Sequence, residues 1–171
     1  MLTLTFSEIS QNAKGLAIFD KDGTLVKDNG FVHKVEDFKW NKTGLIILRI
    51  SSLVNYSNFV VTNQSGIAKR MFTEKQCLDF CNFLQKEAKR KKCEIAEIYI
   101  CPHLPNSCEC RKPKTLTFSK IKKKFENIPL NLIMIGNSKD DHDFAKNISA
   151  NYVDINSKLA IMKFIFFCLF K

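Results

Sequence analysis

The chain has 171 residues, is 45% hydrophobic, and carries 27 Lys+Arg against 17 Asp+Glu for a net charge of +10. That length suits one domain, and that apolar content excludes an intrinsically disordered chain. Its seven cysteines are an odd number, and three of them share residues 101–110 with a histidine, which favours metal binding over a secreted disulfide scaffold.

The opening segment MLTLTFSEIS has neither a basic n-region nor a long apolar run, so no signal peptide is expected. The run GLAIF at 15–19 predicts a buried strand ending at Asp20, and residues 45–54 can be helical. NFVV at 58–61 predicts a second strand, ending at Thr62. Thr73 opens a helix to about Lys91, with Gln76 three residues on completing a capping box. A third strand is expected at 95–100, followed by a loop rich in Cys and Pro at 101–113 and a basic helix at 116–125. LIMI at 132–135 predicts a fourth strand ending at Gly136. A short helix follows at 138–147, then a fifth strand at 152–155. The apolar tail at 164–170 is far shorter than the roughly 20 residues needed to cross a bilayer.

These elements predict one domain over residues 1–171, with a core at about 15–155 and an apolar tail at 156–171. The fold class is α/β: a Rossmann-like parallel sheet in three layers, with helices on both faces. A cytoplasmic monomer with no membrane and no nucleic-acid partner is expected. The basic runs 89–92 and 120–124 fall inside helical stretches and read as solvated faces.

In such sheets ligands bind beyond the carboxyl ends of the strands, and the polar clusters sit at those ends: Asp20 and Asp22, 62–65, 101–112 and 136–141. DKDGTL at 20–25 sends two carboxylates, at i and i+2, off one strand end. One can serve as nucleophile and metal ligand while the other handles protons. An Asp-Gly turn with no chemistry is the competing reading of this motif alone. Cys101, His103, Cys108 and Cys110 form C-x-H-x4-C-x-C, a closed tetrahedral donor set for structural Zn²⁺. Arg111 and Lys112 follow the last ligand directly, so the metal would fix two cations at the site's rim. Cys77, Cys81, Cys93 and Cys168 read as core residues.

With all four clusters in place, the chain resembles the haloacid-dehalogenase-like phosphatases, whose first motif is an apolar strand followed by D-x-D-G-T. The resemblance implies that Asp20 attacks phosphorus and forms an aspartyl-phosphate. Asp22 would protonate the leaving oxygen and then activate water. Thr62 and Lys112 would bind the transferring phosphoryl group. Mg²⁺ would be held by Asp20, Asp22 (through its carbonyl) and Asn137.

CPHLPNSCECRKPK at 101–114 is similar to the zinc-loop branch of that family, which includes the heptose-bisphosphate phosphatases and the histidinol-phosphatases. DNGFVHKVEDF at 28–38 and TNQSGIAKRMFTE at 62–74 look like segments of the heptose group, although the four-residue spacing from His103 to Cys108 is closer to the histidinol type. A small phosphorylated sugar is therefore the expected substrate. Its contacts would be Asp28, Asn29, Gly30, Phe31, Asn63, Gln64, Ser65 and Arg111, with Arg111 gripping a second phosphate. His33 is either a further contact or packing.

The chain departs from the family pattern at Asn137, where a magnesium-binding carboxylate is usual, at Ser138, where the heptose group commonly has Lys, and at Thr115-Leu116, where Pro-Gly often follows. Asp141 keeps the second acidic position of that motif and Asp140 adds another. Three alternatives stay open: a histidinol-phosphate phosphatase, a nucleic-acid 3′-phosphatase, and a catalytically weakened member of the family.

Overall fold

The structure is a computed structural model that describes residues 1–28, 30–125, 127 and 131–170. Its strands are β1 (Leu2–Thr5), β2 (Gly15–Phe19), β3 (Tyr56–Asn63), β4 (Glu97–Cys101), β5 (Leu132–Gly136) and β6 (Asn151–Asp154), in the sheet order β1-β4-β3-β2-β5-β6. Strands β2 to β6 pair in parallel, as expected. β1 was not expected and pairs antiparallel along the edge of β4, so the sheet is mixed.

β2 is apolar throughout because both of its faces are covered. Ala17 and Phe19 point into one core cluster, Leu16 and Ile18 into the other. β3, β4 and β5 split the same way, with Val60, Ile98 and Ile133 on the first face and Phe59, Tyr99 and Met134 on the second. Helices α1 (Lys42–Leu53), α2 (Glu74–Arg90) and α5 (Ala160–Leu169) contribute to the first cluster; α3 (Leu116–Lys122) and α4 (Lys139–Asn147) contribute to the second. α2 opens on the expected Thr73/Gln76 capping box.

The segment expected as a tail from residue 156 instead carries α5, which buries Ala160 and Phe164 in the main core. The core therefore runs past residue 155. α3 is three residues shorter than expected, ending at Lys122. α1 starts earlier, at Lys42, because the Asn41 side chain accepts from Thr43 N at 3.1 Å and Gly44 N at 3.3 Å. The same Asn41 donates to the Gly23 carbonyl at 2.9 Å, and a Cβ on Gly44 would lie 2.0 Å from the Thr24 carbonyl oxygen. The first turn of α1 is thereby pressed against the loop that leaves β2. Among the described residues no helix is long and apolar enough to cross a membrane.

Candidate active site

A cleft of about 200 Å³ opens beyond the carboxyl ends of β2, β3 and β5, lined by Asp20, Asp22, Asp28, Thr62, Asn63, Arg111, Lys112, Asn137, Ser138, Asp140 and Asp141. Asp20 is held at the end of β2 by its own N–H, which donates to the Ile135 carbonyl at 2.9 Å. The chain then turns on the Lys21 carbonyl, which accepts from Thr24, Leu25 and Val26. Gly23 sits at φ +79°, and a Cβ there would lie 2.2 Å from Asn137 Nδ2. The turn therefore needs glycine for two reasons, backbone conformation and space.

Lys112 is the centre of the site's electrostatics. It is 2% exposed, and its ammonium lies 2.7 Å from Asp20 Oδ1 and 2.6 Å from Asp141 Oδ1. Burial opposes its charge, but the two carboxylates outweigh burial and hold its pKa above the ordinary lysine value. Burial pushes the Asp20 carboxyl up to about 7, against the pull of Lys112 and with the repulsion of Asp141 and Asp22. Asn63 fixes the Lys112 backbone: Lys112 N donates to Asn63 Oδ1 at 3.0 Å, and Asn63 Nδ2 donates to Lys112 O at 3.2 Å.

Asp22 is set by two neighbours. Gln64 Nε2 donates to Asp22 Oδ2 at 2.6 Å and to Thr62 Oγ1 at 2.8 Å. Lys21 Nζ lies 2.7 Å from Asp22 Oδ1 and donates to the Val32 carbonyl at 2.9 Å. Lys21 is 1% exposed, although a lysine between two aspartates reads as solvated. The signal available in the sequence was its place two residues past a strand buried on both faces.

The expected site residues separate into two groups. Asp20, Asp22, Asp28, Thr62, Asn63, Arg111, Lys112 and Asn137 reach the cleft wall. Gln64 lies buried behind it, while Gly30, Phe31 and Ser65 stand outside the lining. Asn29 falls outside the described residues. His33 stacks on Phe72 with centroids 4.6 Å apart, and its Nδ1 is 2.6 Å from the Phe31 carbonyl, which is a packing role. Ser138, one of the departures from the family pattern, is the N-cap of α4 in a capping box with Asp141. Among the described residues, Asn137 Oδ1 receives one long contact, 3.4 Å, from Thr24 Oγ1.

A second cleft, of about 240 Å³, adjoins the first and shares Arg111, Lys112 and Asp140 with it. Its remaining wall comes from the Cys-rich loop and Lys114. There the donor atoms of Cys101, His103, Cys108 and Cys110 all lie within 4.8 Å of one another, a group that could hold a metal ion.

A parallel sheet that delivers a carboxylate from its central strand to a buried lysine is the architecture of the haloacid-dehalogenase-like phosphatases. The chain belongs to the polynucleotide kinase 3 phosphatase family, whose profile matches residues 15–138. It is 38% identical over 129 residues to the D-glycero-alpha-D-manno-heptose-1,7-bisphosphate 7-phosphatase of Campylobacter jejuni, covering 75% of this chain and 74% of that one. It is 35% identical to the D-glycero-beta-D-manno-heptose-1,7-bisphosphate 7-phosphatase of Haemophilus influenzae, covering 73% and 72%. The crystal structure of D,D-heptose 1,7-bisphosphate phosphatase from B. bronchiseptica, complexed with magnesium and phosphate, superposes with a TM-score of 0.74 at 22% identity, over 82% of this chain and 79% of that one. That last likeness concerns the fold.

Proposed function

We propose that the chain is a Mg²⁺-dependent phosphomonoester hydrolase that removes the 7-phosphate of D-glycero-D-manno-heptose 1,7-bisphosphate. The observation that carries the chemistry is the placement of Asp20: a buried carboxylate at a strand end, 2.7 Å from an ammonium that cannot leave. The names of relatives at 38% and 35% identity support the choice of sugar.

A carboxylate oxygen of Asp20 attacks phosphorus, and the ester P–O bond breaks with its electron pair going to the leaving oxygen. Asp22 gives that oxygen a proton. In the second step water attacks the aspartyl-phosphate, Asp22 takes the water's proton, and phosphate departs. Lys112 and Thr62 hold the phosphoryl oxygens, so most of the catalysis is positioning and fixed charge. Mg²⁺, when bound, supplies further charge at the same oxygens. Asp20, the Asp22 carbonyl and the Asn137 amide oxygen are hard donors that would hold it. Arg111, shared by both clefts, would take the second phosphate in the cleft beside Lys114.

The metal of the Cys-rich loop is assigned as Zn²⁺. Neighbouring donor atoms there lie 3.3 to 3.6 Å apart. A tetrahedron with Zn–S near 2.3 Å and Zn–N near 2.0 Å has edges of about 3.5–3.8 Å, so these four donor pairs suit that ion, and the remaining pairs, within 4.8 Å, would draw together around it.

A nucleic-acid 3′-phosphatase is the second reading, favoured by the family's description and by the charge of +10. One experiment separates the readings: turnover with Mg²⁺ of heptose 1,7-bisphosphate, histidinol phosphate and a 3′-phosphorylated oligonucleotide. Heptose bisphosphate should be cleaved fastest. Faster cleavage of either competitor would overturn the assignment.

A further inference from the structure

Lys21 has no part in the chemistry described above, yet the fold spends a great deal to keep it. An ammonium buried to 1% exposure among Phe80, Cys77 and Cys81 is unfavourable unless it is paired. Its partners are few and directional: the Val32 carbonyl at 2.9 Å, the Phe80 ring at 4.6 Å from its centroid, and Asp22 Oδ1 at 2.7 Å. The buried oxygen Asp22 Oδ1 is held by this ion pair with the Lys21 ammonium. The opposite oxygen, Oδ2, is held by Gln64 at 2.6 Å. The carboxylate is therefore gripped from both sides by groups that cannot reach solvent.

We propose that Lys21 is a positioning residue which, opposed by Gln64, sets the direction in which the Asp22 carboxyl faces the leaving oxygen. The inference rests on the phosphatase reading given above. Lys21 does not line the cleft; it acts through Asp22. Through the Val32 carbonyl it also ties that carboxyl to the backbone just beyond Phe31. The affected step is the first one: as the ester P–O bond breaks and the Asp20 O–P bond forms, the leaving oxygen takes the proton of Asp22. A poor leaving group such as a sugar alkoxide needs that proton; p-nitrophenolate hardly does.

The test compares kcat/KM for the best sugar phosphate with kcat/KM for p-nitrophenyl phosphate, both with saturating Mg²⁺, in wild type and Lys21→Met. kcat/KM stops at departure of the leaving group, so the later attack of water does not enter. The ratio of the two values is also independent of how much of a preparation is folded. The sugar-phosphate value should fall at least about tenfold further than the aryl value, within the range expected of a displaced general acid. Gln64→Leu, which frees the other oxygen, should shift the ratio the same way, and Lys21→Arg should restore it in part. An equal fall on both esters would make Lys21 merely structural and overturn the proposal. So would a gain on the sugar phosphate, which a displaced Asp22 carboxyl cannot give. A wild type that cleaves neither ester would overturn the phosphatase reading itself.

Discussion

Asp141 divides its two oxygens between Lys112 and its own helix. Oδ1 lies 2.6 Å from the ammonium, while Oδ2 accepts from Asn137 N at 3.1 Å, Ser138 N at 3.1 Å and Ser138 Oγ at 2.7 Å. Burial pushes this carboxyl up, but Lys112 and the Ser138 donors outweigh burial and hold it below the usual carboxylate range. One residue thus anchors the catalytic cation and starts α4. Asp141→Ala should cost roughly 3 kcal/mol or more, from a buried cation losing a partner together with the loss of a capping box. Because the folded-state pKa is depressed, the stability Asp141 supplies is complete above its ordinary pKa and is lost as pH falls through the lower folded value. Urea unfolding at pH 7 would check the cost; a loss under about 1 kcal/mol would contradict the pairing.

Asp20 works in the opposite direction. Its pKa is raised from 3.8 to about 7, so the folded metal-free protein binds a proton more tightly than the unfolded chain. Stability contributed by that proton is present at low pH and falls away as pH rises through the window from 3.8 to about 7. Asp20→Asn should therefore abolish turnover while raising the Tm of the Mg²⁺-free protein above pH 7, and the gain should shrink toward pH 4. Lys112 keeps Asp141 as a partner in the mutant. Wild-type turnover in the purified mutant would refute the nucleophile; a Tm below wild type above pH 7 would refute the electrostatic account.

The inner strands were legible because burial on both faces writes a continuous apolar run, as in GLAIF and LIMI. β1 was not. It is four residues long with alternating partial burial, too short for a period-2 pattern to stand out. α5 was read as a tail because AIMKFIFFCL is apolar on nearly every side and so carries no 3.6-residue stripe. In the site, strand-end positions told which residues arrive, but not which oxygen meets which donor. Gln64 was expected as a substrate contact because the 62–74 segment resembles that of the heptose group. Its burial behind Asp22 depends on the packing of β3 against β2, which no local pattern states.

The Cys-rich loop makes a separate prediction. Protein purified without chelators should contain about one Zn²⁺ per chain. Burial pushes the Cys101 thiol up to about 12 without metal, so binding must release protons and weaken as pH falls. Cys108→Ser should lower zinc content and reduce turnover indirectly, by loosening Arg111 and Lys112. Metal analysis finding no zinc would remove this assignment.

Arg111 tests the substrate. It donates to the His103 carbonyl at 3.5 Å, so the loop's metal ligand and the proposed phosphate grip share one segment. Arg111→Ala should raise KM for heptose 1,7-bisphosphate by about tenfold or more while changing KM for a monophosphate little, since a charge-assisted bidentate contact would be lost for only one of them. Equal effects on both would place Arg111 at the transferring phosphate instead.

Asn137 is the residue on which magnesium affinity should turn. Its amide lies against Gly23, over the loop that carries Asp20, and its Oδ1 has only the long Thr24 contact to give up. An amide oxygen has the reach of a carboxylate but not its charge, and Mg²⁺ favours hard anionic oxygens. With Lys112 already neutralising much of Asp20 and Asp141, one missing negative charge should weaken metal binding and raise the Mg²⁺ concentration needed for activity. Asp140, which lines the same cleft and receives Asn63 Nδ2 at 3.4 Å, can compensate only in part. Asn137→Asp should therefore lower the Mg²⁺ concentration for half-maximal turnover, by roughly tenfold for about 1.4 kcal/mol of added attraction. The α4 cap should be undisturbed, because the N–H of residue 137 still donates to Asp141. A magnesium titration of turnover for both proteins makes the comparison. Coincident curves would show that residue 137 does not govern the metal, and no turnover in either protein would favour a degenerate site.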